Sequence, residues 1–213
     1  HLVCAYLKMV GKKMDGSGLS DILLEAGLIA SGSLQGVISG KHYDRATYCH
    51  TIMLECLERL LLEQYMANQN EQELFSSIPA DSMKKLDDLL QSLTETKLDA
   101  AIDDDAFSNY IQGYLQYRVE VSEGSHGKTA QLWASYMSHI WLVLSLVQAV
   151  KHNDFLAYAH CLHLMTDIFF AFGGQNYARY LTYFSIFLAN IEVSHPGATD
   201  LIKRGAMSVA RSF

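Results

Sequence analysis

The feature that most constrains this chain is a run of 22 residues, Thr129 to Val150, without Asp, Glu, Lys or Arg. A run of that length can form a buried core helix or a helix that spans a membrane. Polar residues interrupt the run on all sides of a helix, at Gln131, Ser135, Ser138, His139, Ser145 and Gln148. A spanning helix is more uniformly apolar, so we interpret the run as a core helix and expect no membrane contact.

Long apolar runs and only 2 prolines among 213 residues favour helices over many short strands. Charged residues make up 18%, below the roughly 25% usual for soluble domains. Short connections between the helical stretches predict antiparallel neighbours. We therefore predict one all-α domain over residues 1–213, a bundle of roughly eight to ten helices. The polar stretch 67–79 is the best candidate for an internal boundary.

Capping residues set the predicted limits of the helices. The first helix covers 2–14, and the next ones begin at caps Ser20, Ser33, Asp44, Asp81 and the acidic run Asp103–Asp105. The later helices cover 128–151, 154–172, 175–193 and 197–205, with Asn153 or Asp154 as the cap of the second of these. The run Tyr117 to Val121, which enters the next loop, is β-like, although it also ends the helical stretch AFSNYIQGYLQYRVEV that follows the acidic run.

Two further patterns concern the core. In the helix after Asp44, the spacing of Ile52, Cys56 and Leu60, together with Met53, Leu57 and Leu61, predicts a wide apolar stripe facing the core. None of the four cysteines, Cys4, Cys49, Cys56 and Cys161, belongs to a C-x-x-C pair. We expect buried, reduced packing residues, and hence an intracellular protein, nuclear or cytoplasmic.

The stretch VEVSEGSHGKTAQLW, 119–133, is similar in outline to a phosphate-binding loop. That motif needs a glycine five residues before Gly127, where this chain has Ser122. The chain also lacks the alternating strand–helix pattern of a parallel sheet. We therefore interpret the stretch as a loop and a helix start, with Ser125 or His126 as the cap, and expect no cofactor.

The HCLH stretch, His160 to His163, with Asp167 one turn later, contains residue types that bind metals. Zinc-binding helices usually present ligands four residues apart and need a further ligand from elsewhere. We interpret these histidines, and likewise His50 and His139, as core or surface residues and predict no metal site.

The net charge of −7 gives no global signature of a nucleic-acid-binding protein. Local basic residues could still gather on one face and contact phosphates. The candidates for nucleic-acid binding are Lys41, Arg45, Lys128 and Arg179. The alternative is that they are solvated surface residues.

Three stretches together resemble a known family. They are GSGLSDILLEAGLIASGSLQGVISGKHYDRA, HGKTAQLWASYM, and FFAFGGQNYARYL with SHPGATDLIKRGAMSVARS beyond it. The set resembles a family of large animal proteins derived from transposable elements, over most of the chain from Gly11 to Ser212. The residues that carry the resemblance are His126, Gly127, Lys128 and Thr129, with Gln175, Asn176, Tyr177 and Arg179.

That resemblance implies a transposase core of the RNase H type, whose three carboxylates hold two metal ions. Such cores often carry a large helical insertion, and this chain would suit it. We expect a piece of a longer polypeptide, with the carboxylates outside 1–213 and His1 as a candidate for the histidine that follows the second aspartate. No catalytic role can be assigned to the remaining residues, and whether the parent protein is an enzyme stays open.

Two functions follow as expectations. The first is an accessory or insertion domain that positions DNA or mediates self-association around a catalytic core elsewhere in the parent polypeptide. The second is a protein–protein interaction module without a nucleic-acid role, which the high apolar content and low charge would suit. We expect Asn176 and Arg179, if buried, to need hydrogen-bond partners that fix the meeting of two helices.

Overall fold

The computed structural model describes residues 1–68 and 105–205. These residues form ten helices and no strand, which confirms the predicted all-α bundle. The helices are α1 (Leu2–Lys13), α2 (Leu19–Glu25), α3 (Ser31–Ile38), α4 (Tyr43–Asn68), α5 (Asp105–Glu123), α6 (Lys128–Lys151), α7 (Phe155–Ala171), α8 (Gln175–Ala189), α9 (Ile191–Ser194) and α10 (Ala198–Lys203).

The chain divides into two compact units. Unit 1 comprises His1–Leu54 and Tyr136–Phe213, and unit 2 comprises Glu55–Ser135. The divisions fall within α4 and α6, so each unit contains part of both helices. The single domain over 1–213 stays a prediction. The helix predicted after Asp81 and most of the predicted boundary at 67–79 lie outside the described residues.

The core of unit 1 forms where α1, α6, α7 and α8 bury their apolar sides. α7 packs against α8 and α1, and α1 also packs against α3. The largest fully buried apolar and aromatic side chains come from these helices and from α2, and they are Tyr6, Leu7, Leu19, Leu23, Tyr136, Ile140, Met165, Phe169 and Leu181. Burial of one such side chain contributes about 1.5–3 kcal/mol to folding.

The core of unit 2 is a group of tyrosines around Tyr65. Its ring centroid lies 5.6 Å from Tyr110, 5.7 Å from Tyr114 and 5.5 Å from Tyr117. Beside this group, Glu58 accepts a hydrogen bond from the Tyr114 hydroxyl at 2.6 Å and forms an ion pair with Arg118 at 3.1 Å. The group and its ion pair hold α5 against the second half of α4.

Three predicted helix caps are wrong by two or three residues. The helices begin at Leu19, Ser31 and Tyr43, so Ser20, Ser33 and Asp44 lie inside first turns rather than at caps. The first bonds of α2 and α4 run to the carbonyls of Gly18 and His42, because backbone geometry can start a helix without a capping side chain. By contrast, Asp154 caps α7 as predicted, since its carboxylate accepts the Ala157 N–H at 2.9 Å.

The late helices are shorter than predicted. The helix predicted over 175–193 ends at Ala189, because the Asn190 side chain donates to the Ile186 carbonyl at 2.8 Å and α9 starts anew. The helix predicted over 197–205 covers only Ala198–Lys203. Asp105 is the first residue of α5, whereas Asp103 and Asp104 lie outside the described residues.

The β-like interpretation of Tyr117 to Val121 is wrong and the helical one is confirmed, because these residues lie within α5. Tyr117 and Val121 are four residues apart, and both are buried against the Tyr65 group. Tertiary packing of this apolar side therefore overrides the local strand preference of valine and tyrosine. With a helix before it, the loop at 124–127 also lacks the strand that a phosphate-binding loop requires.

The predicted core stripe of α4 is partly wrong. The buried side chains of its first half are Ala46, Cys49, His50, Met53 and Leu54, whereas Cys56 is exposed and Leu60 is 61% exposed. An apolar stripe this wide has flanks that none of the described helices covers. All four cysteines are free, with Cys49 and Cys161 buried and Cys4 half-buried, so the expected burial fails at Cys56 alone.

Among the described helices, α6 is the one long and apolar enough to cross a membrane, judged by length and composition alone. Of its most apolar 18-residue window, 33% is buried inside the protein. Its interpretation as a core helix without membrane contact stays a prediction.

Candidate interaction face on α8

The inner side of α8 is anchored to the core of unit 1. Ala178 and Leu181 are fully buried, and the Tyr177 ring stacks on Phe169 at 5.0 Å. Phe169 in turn contacts Tyr6 edge to face at 5.9 Å. These contacts fix the rotation of α8 about its axis and therefore determine which of its side chains point to solvent.

The outer side of α8 is aromatic and apolar. Tyr180, Tyr183, Ile186 and Phe187, which we call the α8 face, are 63%, 69%, 59% and 37% exposed. Tyr180, Tyr183 and Phe187 follow the spacing of three and four that places side chains on one side of a helix. A solvated helix normally carries charged residues on this side, yet the only Asp, Glu, Lys or Arg between Ile168 and Ile191 is Arg179.

Neighbouring aromatic rings extend this surface beyond α8 itself. Tyr180 and Phe184 stack with their ring centroids 6.2 Å apart and their planes at 7°. Burial, reinforced by the neighbouring Tyr180 hydroxyl, raises the pKa of Tyr158 on α7, and Tyr158 lies 6.0 Å from Phe155. Half-buried aromatic rings of α7 and α8 therefore adjoin the α8 face.

The far end of the α8 face reaches α9 and the turn after it. His195 contacts Phe187 edge to face at 6.1 Å, and Val193 is 85% exposed. The Glu192 carboxylate accepts the backbone N–H groups of Gly197 and Thr199 at 2.7 and 3.1 Å. A hydrogen bond from the Thr199 side chain and these two backbone hydrogen bonds lower the pKa of Glu192, so the carboxylate stays ionised while it orders the turn into α10.

The residues predicted from the resemblance fall into both units. In unit 2, His126, Gly127, Lys128 and Thr129 are all exposed. The Gly127 carbonyl accepts the Gln131 N–H, so Gly127 holds the cap position of α6 and the predicted caps Ser125 and His126 are wrong. His126 instead contacts the Tyr117 ring edge to face at 4.9 Å, because the turn at 124–127 folds it back onto α5.

In unit 1, the predicted residues lie in the first turns of α8. Tyr177 is half-buried on Phe169, whereas Gln175, Asn176 and Arg179 are exposed. Asn176 and Arg179 are therefore not buried, so the expectation that their hydrogen bonds would hold two helices together does not apply. The ring of Tyr177 makes that contact instead.

The predicted basic residues are all exposed, and Lys41 and Arg45 lie on either side of the start of α4. Lys41 precedes α4, Arg45 lies in its first turn, and Arg179 lies on α8, all in unit 1. The Arg45 guanidinium donates to the Ser33 hydroxyl at 2.8 Å, which ties α4 to α3. Lys128 lies in unit 2 at the start of α6. DNA binding by these residues stays a prediction.

Within residues 1–68 and 105–205, no group of three His, Cys, Asp or Glu side chains is placed to hold a metal ion. His160, His163 and Asp167 of the HCLH region lie exposed on the outer side of α7. His1, the histidine suggested by the resemblance, is also exposed.

The fold and this surface define the class of protein: an all-α domain that presents an aromatic helix face to solvent. The chain belongs to a family described as Domain of unknown function (DUF8702), whose model matches residues 1–213. No curated protein matches the chain. No solved structure matches it either.

Proposed function

We propose that this chain is a helical accessory domain that associates with a second copy of itself through the α8 face. The proposal rests on one observation, the exposure of Tyr180, Tyr183, Ile186 and Phe187 on a helix whose single charged residue is Arg179. Contiguous apolar patches of this kind mark interaction surfaces on soluble proteins. Aromatic residues are also enriched in such surfaces.

Charge favours a second copy as the partner. The net charge of −7 makes two copies repel each other over most of their surfaces. The α8 face carries no carboxylate, so two identical faces can meet without like-charge repulsion. A two-fold contact brings the same residues together from both copies. An uncharged aromatic row satisfies that condition, and Arg179 at its edge can lie over an aromatic ring of the other copy.

The lineage of the parent protein is part of the proposal. The resemblance of the quoted stretches supports an origin in a transposable element, with the domain assembling copies around a catalytic core elsewhere in the polypeptide. All four cysteines are free, which supports an intracellular location, nuclear or cytoplasmic. DNA positioning is the weaker candidate, because the net charge of −7 gives no basic signature of a nucleic-acid-binding protein.

The proposal predicts a reversible dimer that weakens when the α8 face is made polar. In sedimentation velocity over a concentration series, we expect the variant Tyr183→Ser/Phe187→Ser to raise the dimer Kd by about 10–100-fold, since truncation of an interface anchor typically costs 1–2 kcal/mol or more. The matched control is Tyr48→Ser on α4, because Tyr48 is 57% exposed and lies outside the α8 face.

Three results would contradict self-association through this face. The wild type could sediment as a monomer at every concentration, the double variant could dimerise like the wild type, or Tyr48→Ser could weaken the dimer equally. Duplex DNA added across a salt series tests the other role. Binding that falls steeply with salt would favour DNA positioning, and its absence at low salt would remove that role for this chain.

A further inference from the structure

Two tyrosine–histidine hydrogen bonds join α6 to other helices of unit 1. The Tyr136 hydroxyl on α6 lies 2.7 Å from His50 Nδ1 on α4. His139 Nδ1 on α6 lies 2.7 Å from the Tyr6 hydroxyl on α1. Tyr136 and His139 are three residues apart and share one side of α6. The same side of α6 is therefore hydrogen-bonded to α4 through Tyr136 and to α1 through His139.

These four rings are largely withdrawn from water. Tyr6 and Tyr136 are 0% exposed, His50 is 1% exposed, and His139 is half-buried. His50 Nε2 has no hydrogen-bond partner in the part of the chain that the structure describes. A proton added to this imidazole would place a charge and a second N–H in a site that does not solvate them.

The second pair is sensitive to protonation for a different reason. Lys13 Nζ lies 3.1 Å from His139 Nε2. An ammonium group only donates hydrogen bonds, so Nε2 must present its lone pair and the proton of the neutral ring must lie on Nδ1, towards Tyr6. Protonation of Nε2 would remove this acceptor and set two positive charges against each other.

We propose that these two tyrosine–histidine contacts form an acid-sensitive latch, which holds α1 and α4 on α6 while both imidazoles are neutral. Protonation of His50 would release α4 by placing a charge and a second N–H where they are not solvated, and protonation of His139 would release α1 by replacing the Lys13 hydrogen bond with repulsion. The latch goes beyond self-association, because none of its residues belongs to the α8 face. The other titratable groups around it are Lys13 on α1, Cys161 on α7 beside Tyr6, and Cys49 on α4 beside Tyr136.

The direction of the pH effect follows from burial. Burial lowers the pKa of His50 from 6.5 to about 4, and burial with the nearby Lys13 charge lowers the pKa of His139 to about 4. The unfolded chain therefore takes up these protons first as the pH falls, and stability is lost from pH 6.5 down to about 4. Each imidazole raises the unfolding equilibrium constant about tenfold per pH unit in this window.

The test is an acid titration of the whole chain by NMR of the histidine ring protons and by near-ultraviolet circular dichroism. We expect the rings of His50 and His139 to stay neutral well below pH 6.5. The tertiary signal should then be lost in a step that takes up about two protons. The variants His50→Gln and His139→Gln should each remove about one proton from this step, and the exposed-site control His163→Gln should leave it unchanged.

Two outcomes would overturn the latch. One is titration of both rings near pH 6.5 with the tertiary signal intact, which needs no variant and therefore does not depend on whether the glutamine variants fold. The other is an acid transition whose midpoint and proton uptake are the same in the wild type and both glutamine variants.

Discussion

Replacing Phe169 by alanine is expected to destabilise unit 1 by about 3–5 kcal/mol, the range for removal of a buried phenylalanine. Phe169 is fully buried where three helices meet. Its ring contacts Tyr6 of α1 edge to face at 5.9 Å and stacks on Tyr177 of α8 at 5.0 Å. Truncation would therefore leave a cavity and remove the contact that orients α8.

Chemical denaturation followed by circular dichroism measures this loss. The next residue provides a matched control, because Phe170 is 60% exposed on the same helix. We expect Phe170→Ala to change the free energy of unfolding by at most about 0.5 kcal/mol, as for other surface substitutions. Equal losses in the two variants would show that Phe169 does not occupy the core position described.

Replacing Gly40 by alanine is expected to cost about 3 kcal/mol, the sum of a backbone penalty and a steric one. Gly40 follows α3 and is buried with a φ of 67°, where a side chain costs roughly 1–2 kcal/mol. A Cβ atom there would also overlap the backbone carbonyl oxygen of Cys4 on α1. Since backbone cannot rotate away, α1 and the end of α3 would have to separate.

Gly27 isolates the steric part of this effect. It has the same φ of 67°, but a Cβ atom there would meet no atom within 4 Å. Gly27→Ala should therefore cost only the backbone penalty of about 1–2 kcal/mol. If the two glycine variants unfold at the same denaturant concentration, the close approach of α3 to Cys4 is not a source of stability.

Much of this fold could be predicted from the sequence, because local chemistry determines it. The scarcity of prolines and the apolar spacing predict an all-α chain, and the start of α6 at Lys128 follows from the loop predicted before it. The cap at Asp154 follows from the hydrogen-bonding capacity of its carboxylate. Exact starts at Leu19 and Tyr43 could not be predicted, because backbone carbonyls rather than side chains begin those helices.

The direction that an apolar side chain faces could not be predicted where an apolar surface encircles much of a helix. Tyr177 and Tyr180 are the same residue type one turn apart, yet Tyr177 stacks on Phe169 and Tyr180 is 63% exposed. The shortage of charged residues between Ile168 and Ile191 was the signal in the sequence that the outer side of α8 would be apolar. Only the packing of α8 on α7 decides which of its sides remains uncovered.

The central claim, that two copies meet through the α8 face, is tested most directly by fluorine NMR of protein containing 3-fluorotyrosine. The signals of Tyr180, Tyr183 and Tyr48 can be assigned with single Tyr→Phe variants. We predict that the signals of Tyr180 and Tyr183 change with protein concentration, whereas that of the exposed Tyr48 does not. Signals of Tyr180 and Tyr183 that stay constant while the protein dimerises, or that stay constant because it never does, would contradict the claim.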